Sequence, residues 1–492
     1  MTDTEHKVAD HKSDVESSAA NSITENEAVS SSDDPIGHHI GLFGAVMLIV
    51  GRVVGSGIFA SPGPLFAQVN SVGMALVLWT VTGMITAVGA LAYAELATAF
   101  PASGGEYIYL LIMIFGQLPD YTRYNLFTLV FRYLLYLAYY HPGMAADKIP
   151  TPPNYAVKLV AVACIWAVAI FNMVSRSSGN YVQNVTAVAK FIGLFIICIV
   201  GIVWLAKGTY LFHFQNAFEG SSTTFWPYGT GIYLALFSYN GWNNATYSTG
   251  ELRNPHRNIP LAVTISTISV TFIYVLTNVA YFATLPLDII KTSSVTALNV
   301  GVNTMGPPGA YILTIFVMFS TFGTVNGNMF SASRVLLATA QNGILLPKFL
   351  AYVHPTRKTP IVALFVIAVI TSALTAPGDF TFLSKMVTLV QWIFYCAAVV
   401  GLCYMRIFHS ERLEKRAIKV PLPLLLLFVV VAAFLVIAPF IGAGNGYIQY
   451  VIVVVVVALA FPIWVVRVLF GINGGGGKDG VLAMEESQKH ED

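Results

Sequence analysis

The run Leu42–Phe66, LFGAVMLIVGRVVGSGIFASPGPLF, is apolar almost throughout, and Gly55-Ser56-Gly57 interrupts it near its middle. About twenty apolar residues suffice to cross a bilayer as a helix. A second interruption of the same kind, Phe237-Ser238-Tyr239-Asn240-Gly241-Trp242, stands five apolar segments further on. In lipid, backbone that leaves the helix must be buried in protein or line a wet cavity, because its freed N–H and C=O groups otherwise lack partners. A lone Gly-x-Gly in a membrane helix is more often a close-packing face. Two breaks at corresponding places in two halves of a chain point instead to the substrate site of a secondary transporter.

Composition agrees with a membrane protein. Of 492 residues, 56% are hydrophobic and 10% charged, where an ordinary soluble domain carries roughly a quarter charged residues. The net charge of +2 is too small to suggest nucleic acid. The four cysteines, Cys164, Cys198, Cys396 and Cys403, all fall inside apolar segments, so no disulfide framework is expected. The chain opens with a polar, acidic stretch instead of a basic region and a short apolar one, so no cleavable signal peptide is expected.

Between Met1 and His39 nine acidic residues face only Lys7 and Lys12, with no aromatic residue. Such a composition cannot bury enough apolar surface to fold, and residues 1–39 read as a disordered cytoplasmic tail. Residues 471–492, which open with Gly471-Ile472-Asn473 and four further glycines, read as a second tail. Apolar length and the Gly, Pro and charged residues at segment edges place spans near 42–66, 72–98, 106–140, 156–174, 181–206, 228–252, 260–285, 309–340, 361–376, 384–407, 422–442 and 447–470. The fold class is therefore an all-α polytopic membrane protein of about twelve helices. Spans 1–5 (about 40–206) and 6–10 (about 228–407) form two halves of a 5+5 inverted repeat with broken helices 1 and 6, and two extra helices (about 422–470) stand outside it. With the N-terminus inside, short inner loops hold eleven Lys and Arg residues, among them Arg253, Arg257, Arg406 and Arg416, against Lys148, Lys207, Lys291 and Lys385 outside. That bias satisfies the positive-inside rule and puts both termini in the cytoplasm.

The breaks have a chemical use. Glycines 55 and 57 let the backbone leave the helix, and the half-helix starting near Ile58 then points unpaired N–H groups and a partial positive charge at the cavity, where a carboxylate fits. Orphan carbonyls near Val53 and after Phe237 make a partly negative cluster suited to an ammonium group. Opposite partial charges a few ångströms apart match a zwitterionic amino acid better than a sugar, a lipid or an inorganic ion. Candidate binding residues are Val53, Gly55, Ser56, Gly57, Ile58, Phe237, Ser238, Asn240, Gly241 and Trp242. Phe237, Tyr239, Trp242 and the small residues around them favour an apolar or sulfur-containing side chain. Trp242 is equally readable as packing, and Asn243 and Asn244 as caps of the resumed helix.

Lys190 lies about ten residues inside the fifth span, too deep to reach either surface easily, which makes it a functional candidate. Beside the first break it can fill the place a sodium ion takes in sodium-coupled transporters, or couple transport to protons; snorkelling to the inner face is the bland alternative. Arg52, Glu95 and Glu251 read as an inner gate or as isolated interfacial charges, the sequence leaving open whether Arg52 meets Glu95 or Glu251. No metal-ligating set, nucleophile with its base, or cofactor motif converges, which argues against a membrane enzyme. No continuous polar stripe lines any span, which argues against a channel. A sensor that binds without transporting stays open as a further reading.

Several ordered motifs resemble one family. Gly55-Ser56-Gly57-Ile58-Phe59 with Ser61-Pro62, then Tyr93-Ala94-Glu95-Leu96, Pro101 and Ser103-Gly104-Gly105-Glu106-Tyr107, resemble the L-type amino acid transporters of the amino acid, polyamine and organocation superfamily. Phe237-Ser238-Tyr239 with Gly241-Trp242-Asn243, Glu251, Asn254-Pro255, Arg257-Asn258 and Pro260 resemble its sixth span, and Phe322 to Gly327 with Ser333-Arg334 and His354-Pro355 its eighth. Arg52 and Asn243-Asn244 look more like the fungal methionine permease branch than the animal proteins. The resemblance covers roughly residues 40–360.

It implies that the substrate carboxylate meets the backbone near Ser56 and Gly57, and its amine the carbonyls of Val53 and Phe237, with position 240 contributing. Asn240 stands where animal members have Gly, which implies a smaller, more polar pocket. Lys190 matches the family's fifth-span lysine, which implies sodium independence. The expected function is alternating-access transport of neutral L-amino acids, methionine or other large or sulfur-containing ones favoured, as a proton symport or, alternatively, an obligatory exchange (antiport). A plasma-membrane location, no cofactor and a docking site for a ubiquitin ligase adaptor on the N-terminal tail are expected. Residues 120–153, with Arg123 and Arg132, look shortened relative to the family and contain no Cys. No disulfide-linked heavy chain is therefore expected.

Overall fold

The computed structural model describes residues 41–99, 153–174, 176–243, 252–293, 295–341, 348–357, 359–375, 380–408, 410–414 and 416–442, with single positions at 246, 249, 450, 451, 454, 455 and 458. The two tails, the expected third span at 106–140 and the 120–152 stretch lie outside the described residues, as does most of the expected twelfth span.

The helices are α1 (Leu42–Val53), α2 (Gly57–Ala60), α3 (Pro62–Val69), α4 (Val72–Ala99), α5 (Asn154–Val174), α6 (Arg176–Lys207), α7 (Phe212–Gln215), α8 (Trp226–Ser238), α9 (Pro255–Thr284), α10 (Leu287–Thr292), α11 (Thr296–Gln341), α12 (Ile361–Thr375), α13 (Phe380–Phe408) and α14 (Leu422–Gly442). Seven segments among them are long and apolar enough to cross a membrane, from Leu42–Ala60 to Leu422–Ile441. The shorter apolar helices Lys158–Val174 and Ile361–Ala373 coincide with the expected fourth and ninth spans. The sixth is the broken one, its first helix ending at Ser238. The chain is thus an all-α, multi-pass membrane protein with interrupted first and sixth spans.

One element departs from the expected pattern. The eighth span was expected to start at 309, after a loop, yet the chain is helical from Thr296 and bends at Gly306, whose φ of 65° and ψ of −152° only glycine adopts readily. Pro307 and Pro308 follow and cannot donate to the ladder, so Thr296–Met305 is a separate helix laid before the span proper. Its Asn299, Gly301 and Asn303 dilute the apolar pattern below what a spanning segment carries.

Helix α9 lies at the centre and packs along α1, α4 and α6, while α11 packs on α6 and α8 on α3. Small residues permit these crossings, as expected where lipid offers no hydrophobic drive between helices. A methyl group on Gly83 of α4 would stand 2.3 Å from Thr271 Oγ1 of α9, and one on Gly323 of α11 would stand 2.0 Å from Thr186 Oγ1 of α6. Large apolar side chains such as Phe195, Ile268 and Phe272 point outward, 63–68% exposed, as a lipid-facing surface requires.

Candidate functional site

Helix α1 stops at Val53 because Val54 turns extended, with φ −70° and ψ 91°. The ladder restarts two residues later: Phe59 and Ala60 donate to Ser56 O at 3.1 Å, Ser61 to Gly57 O at 2.8 Å, and Leu65 to Ser61 O at 2.9 Å. Helices α2 and α3 therefore act as one half-helix from Gly57 to Val69, nicked where Pro62 and Pro64 have no N–H to give. Among the described residues nothing accepts from the N–H groups of Ser56, Gly57 and Ile58. The Ser56 hydroxyl is buried and also without a partner. Four donors thus converge at the start of a half-helix, the arrangement that suits a carboxylate.

The second break begins at Ser238. Tyr239 still donates to Ala235 O at 3.1 Å and Asn240 to Phe237 O at 3.4 Å, after which Gly241 takes a φ of 111°, in the region that favours glycine. The two breaks touch: a Cβ on Gly57 would lie 2.5 Å from Ser238 Cα. Glycine at 57 is what allows the two main chains so close. The Asn240 amide donates to Gln391 Oε1 of α13 at 2.9 Å, anchoring the unwound stretch sideways. Phe237 and Trp242 are buried, and Trp242 packs edge-on to Tyr93 at 4.9 Å and beside Tyr395 at 4.8 Å.

Side chains from other helices hold this pair of breaks. The Tyr274 hydroxyl of α9 lies 2.8 Å from Val53 O and 2.9 Å from Ser238 O, so its single proton is shared between one carbonyl from each break. Seven residues on, the Tyr281 hydroxyl reaches Ile58 O at 3.3 Å. Neither tyrosine was singled out from sequence; their heptad spacing along one face of the seventh span was the available signal. Lys190 is fully buried and donates to Gly51 O at 2.9 Å and to Thr324 Oγ1 at 2.8 Å, joining spans one, five and eight. It does not snorkel. Ser320 Oγ stands 3.4 Å from Gly55 O.

Of the proposed gate residues, Arg52 and Glu95 meet different partners. Arg52 donates to Asn328 Oδ1 of α11 at 2.8 Å. Glu95 is fully buried, engages the guanidinium of Arg406 through Nε at 2.9 Å and through Nη2, accepts from Val420 N at 3.0 Å, and has Arg416 Nε at 3.8 Å. It therefore ties α4 to the junction of α13 and α14 and not to Arg52. Glu251 lies outside the described residues.

The geometry is that of a main-chain cradle with donors on one side and carbonyls on the other. The amino acid permease family matches residues 40–462 of the chain. The b(0,+)-type amino acid transporter 1 of Mus musculus is 36% identical over 445 residues, 88% of each chain. The large neutral amino acids transporter small subunit 2 of Mus musculus is 36% identical over 405 residues, 81% of this chain and 75% of its own. The cystine/glutamate transporter of Homo sapiens is 34% identical over 403 residues, 80% of this chain and 79% of its own. These similarities carry the family, whereas the narrower placement beside fungal methionine permeases rests on Arg52 and Asn243-Asn244 alone. An interrupted first and sixth span, a buried lysine against the first of them and likeness over nearly the whole chain place it among the L-type members of the amino acid permease family, as an amino acid transporter and not an enzyme.

Proposed function

We propose that the chain moves neutral L-amino acids, methionine and other large or sulfur-containing ones preferred, across the plasma membrane by alternating access, without sodium and coupled to protons. The observation that carries this reading is the contact of Gly57 with Ser238, which sets the unclaimed N–H groups of residues 56–58 against the carbonyls of Val53 and Phe237. The substrate carboxylate would take the former and its ammonium the latter. Each carbonyl has two lone pairs, so Val53 O can accept from both Tyr274 and the substrate. When protonated, Lys190 supplies a positive charge between spans one, five and eight, which supports sodium independence. It is also the group we assign to proton coupling, with a nearby carboxylate as the other carrier.

The Asn240–Gln391 pair makes that side of the cradle polar and narrow, which favours a flexible thioether over a bulky aromatic side chain. The Lys and Arg bias of the loops supports both termini in the cytoplasm, and the placement of all four cysteines within helices supports a protein that works without a disulfide-linked heavy chain, although one relative is named a small subunit. A second reading, obligatory exchange, is favoured by a relative named for two substrates, cystine and glutamate.

Proteoliposomes and radiolabelled methionine separate the two. Uptake into empty vesicles, accelerated by an imposed pH gradient and indifferent to sodium, is the expected result. A strict need for internal amino acid refutes symport and leaves exchange. Methionine binding with no transport in either format returns the chain to the sensor reading.

A further inference from the structure

Every residue from Val53 to Gly63 and from Tyr233 to Asn243 is buried, with the single exception of Asn240. Open space therefore reaches the two breaks at Asn240, at most about 7.6 Å of chain past Ser238, which touches Gly57. Gln391, its partner from α13, is likewise half-buried, beside the buried Val390 and Trp392. The Asn240 amide donates to Gln391 Oε1 at 2.9 Å, and this is the one hydrogen bond that either side chain makes among the described residues. A side-chain amide carries two N–H donors and an oxygen with two lone pairs. One bond between the two amides therefore leaves Asn240 Oδ1 free to accept and Gln391 Nε2 free to donate. Uncharged polar groups held in this way at membrane depth mark a place where something polar is handled.

We infer that Asn240 and Gln391 together read the far end of the substrate side chain and favour a primary carboxamide there, so that glutamine ranks with methionine among the substrates. The inference rests on the transport reading above and on its placing of the substrate backbone at the two breaks. A carboxamide offers the complementary set, an oxygen for Gln391 Nε2 and an N–H for Asn240 Oδ1. Glutamine is unbranched and close to methionine in length, so it fits wherever the thioether does. Methionine is still accepted, because a half-buried pair lets water satisfy both amide atoms when the substrate does not. A fully buried pair would reject it far more strongly, its polar atoms being left without partners.

Competition against labelled methionine tests this on the wild-type protein in proteoliposomes. Unlabelled glutamine is expected to halve uptake at a concentration within about threefold of that needed for unlabelled methionine. Asn240→Gly and, separately, Gln391→Leu each remove one of the two free amide atoms, and the ratio of the glutamine KM to the methionine KM rises by about tenfold. Both substrates meet the same main-chain groups, so the ratio cancels any change in folding, abundance at the membrane or the cradle itself. Glutamine that leaves wild-type methionine uptake undiminished, or a ratio that stays level in both variants while the two KM values move together, overturns the inference. Wild-type protein that takes up no amino acid refutes the transport reading instead, and the rise in melting temperature on adding glutamine or methionine then gives the same ratio from binding alone.

Discussion

Alanine at position 57 is the smallest perturbation that reaches the centre of the cradle. The added methyl carbon would stand 2.5 Å from Ser238 Cα, 2.7 Å from its Oγ and 2.9 Å from its Cβ. Two of those atoms belong to, or are fixed by, the main chain of the second break, so no flexible side chain can swing aside. Relief requires the two unwound segments to separate, and overpacking of this kind costs about 1–3 kcal/mol. If that cost falls on the substrate-competent arrangement, binding weakens by roughly fivefold to more than a hundredfold. Gly51→Ala is the matched control: it lies on the half-helix before the break, its methyl would meet only Ala187 Cβ at an ordinary 3.9 Å, and alanine suits a helix interior better than glycine. The assay is saturable uptake of labelled methionine by proteoliposomes containing equal amounts of each variant, with thermal melting measured in parallel. The expected result is a large rise in KM or loss of uptake for Gly57→Ala at near-normal melting temperature, and wild-type uptake for Gly51→Ala. Undiminished uptake by Gly57→Ala refutes the claim that these two main chains form the site.

Other expectations follow from single contacts. Tyr274→Phe deletes the proton shared by Val53 O and Ser238 O, worth about 1 kcal/mol net, so the substrate KM changes by roughly fivefold while abundance at the membrane holds. Lys190→Met leaves Gly51 O and Thr324 Oγ1 without their donor and the space without its charge; uptake falls below detection, and stimulation by a pH gradient disappears in any residual activity. Glu95→Leu strands Arg406 and the Val420 N–H in a buried setting, a loss of about 3–5 kcal/mol that lowers the melting temperature in detergent far more than it changes KM. Gly306→Ala forces a side chain into a glycine-only conformation at about 1–3 kcal/mol, seen as a lower melting temperature.

Much of this architecture was legible before coordinates because the bilayer enforces two simple rules: spans must be long and apolar, and breaks must be sheltered. The end of α1 at Val53, the restart at Gly57 and the end of α8 near Phe237 follow from glycine placement alone. The depth of Lys190 followed from counting residues, and its burial agrees. What escaped notice depends on residues far apart in sequence. Tyr274 meets Val53 across 221 positions, and nothing local to either residue marks the pair. Arg52 reads against acidic partners because charge suggests charge, and nothing near it in sequence marks its contact with the uncharged Asn328, 276 residues away. The Thr296–Met305 helix leaves no such signal, because a ten-residue segment rich in Asn and Gly holds no long apolar run.

The central claim is that main-chain groups, not charged side chains, hold both ends of the substrate. Its most direct test is an experimental structure of the protein with methionine bound. The account predicts the carboxylate within hydrogen-bond distance of the N–H groups of Ser56, Gly57 and Ile58, and the ammonium against the carbonyls of Val53 and Phe237. Methionine seated away from both breaks, or with its two ends reversed, contradicts it.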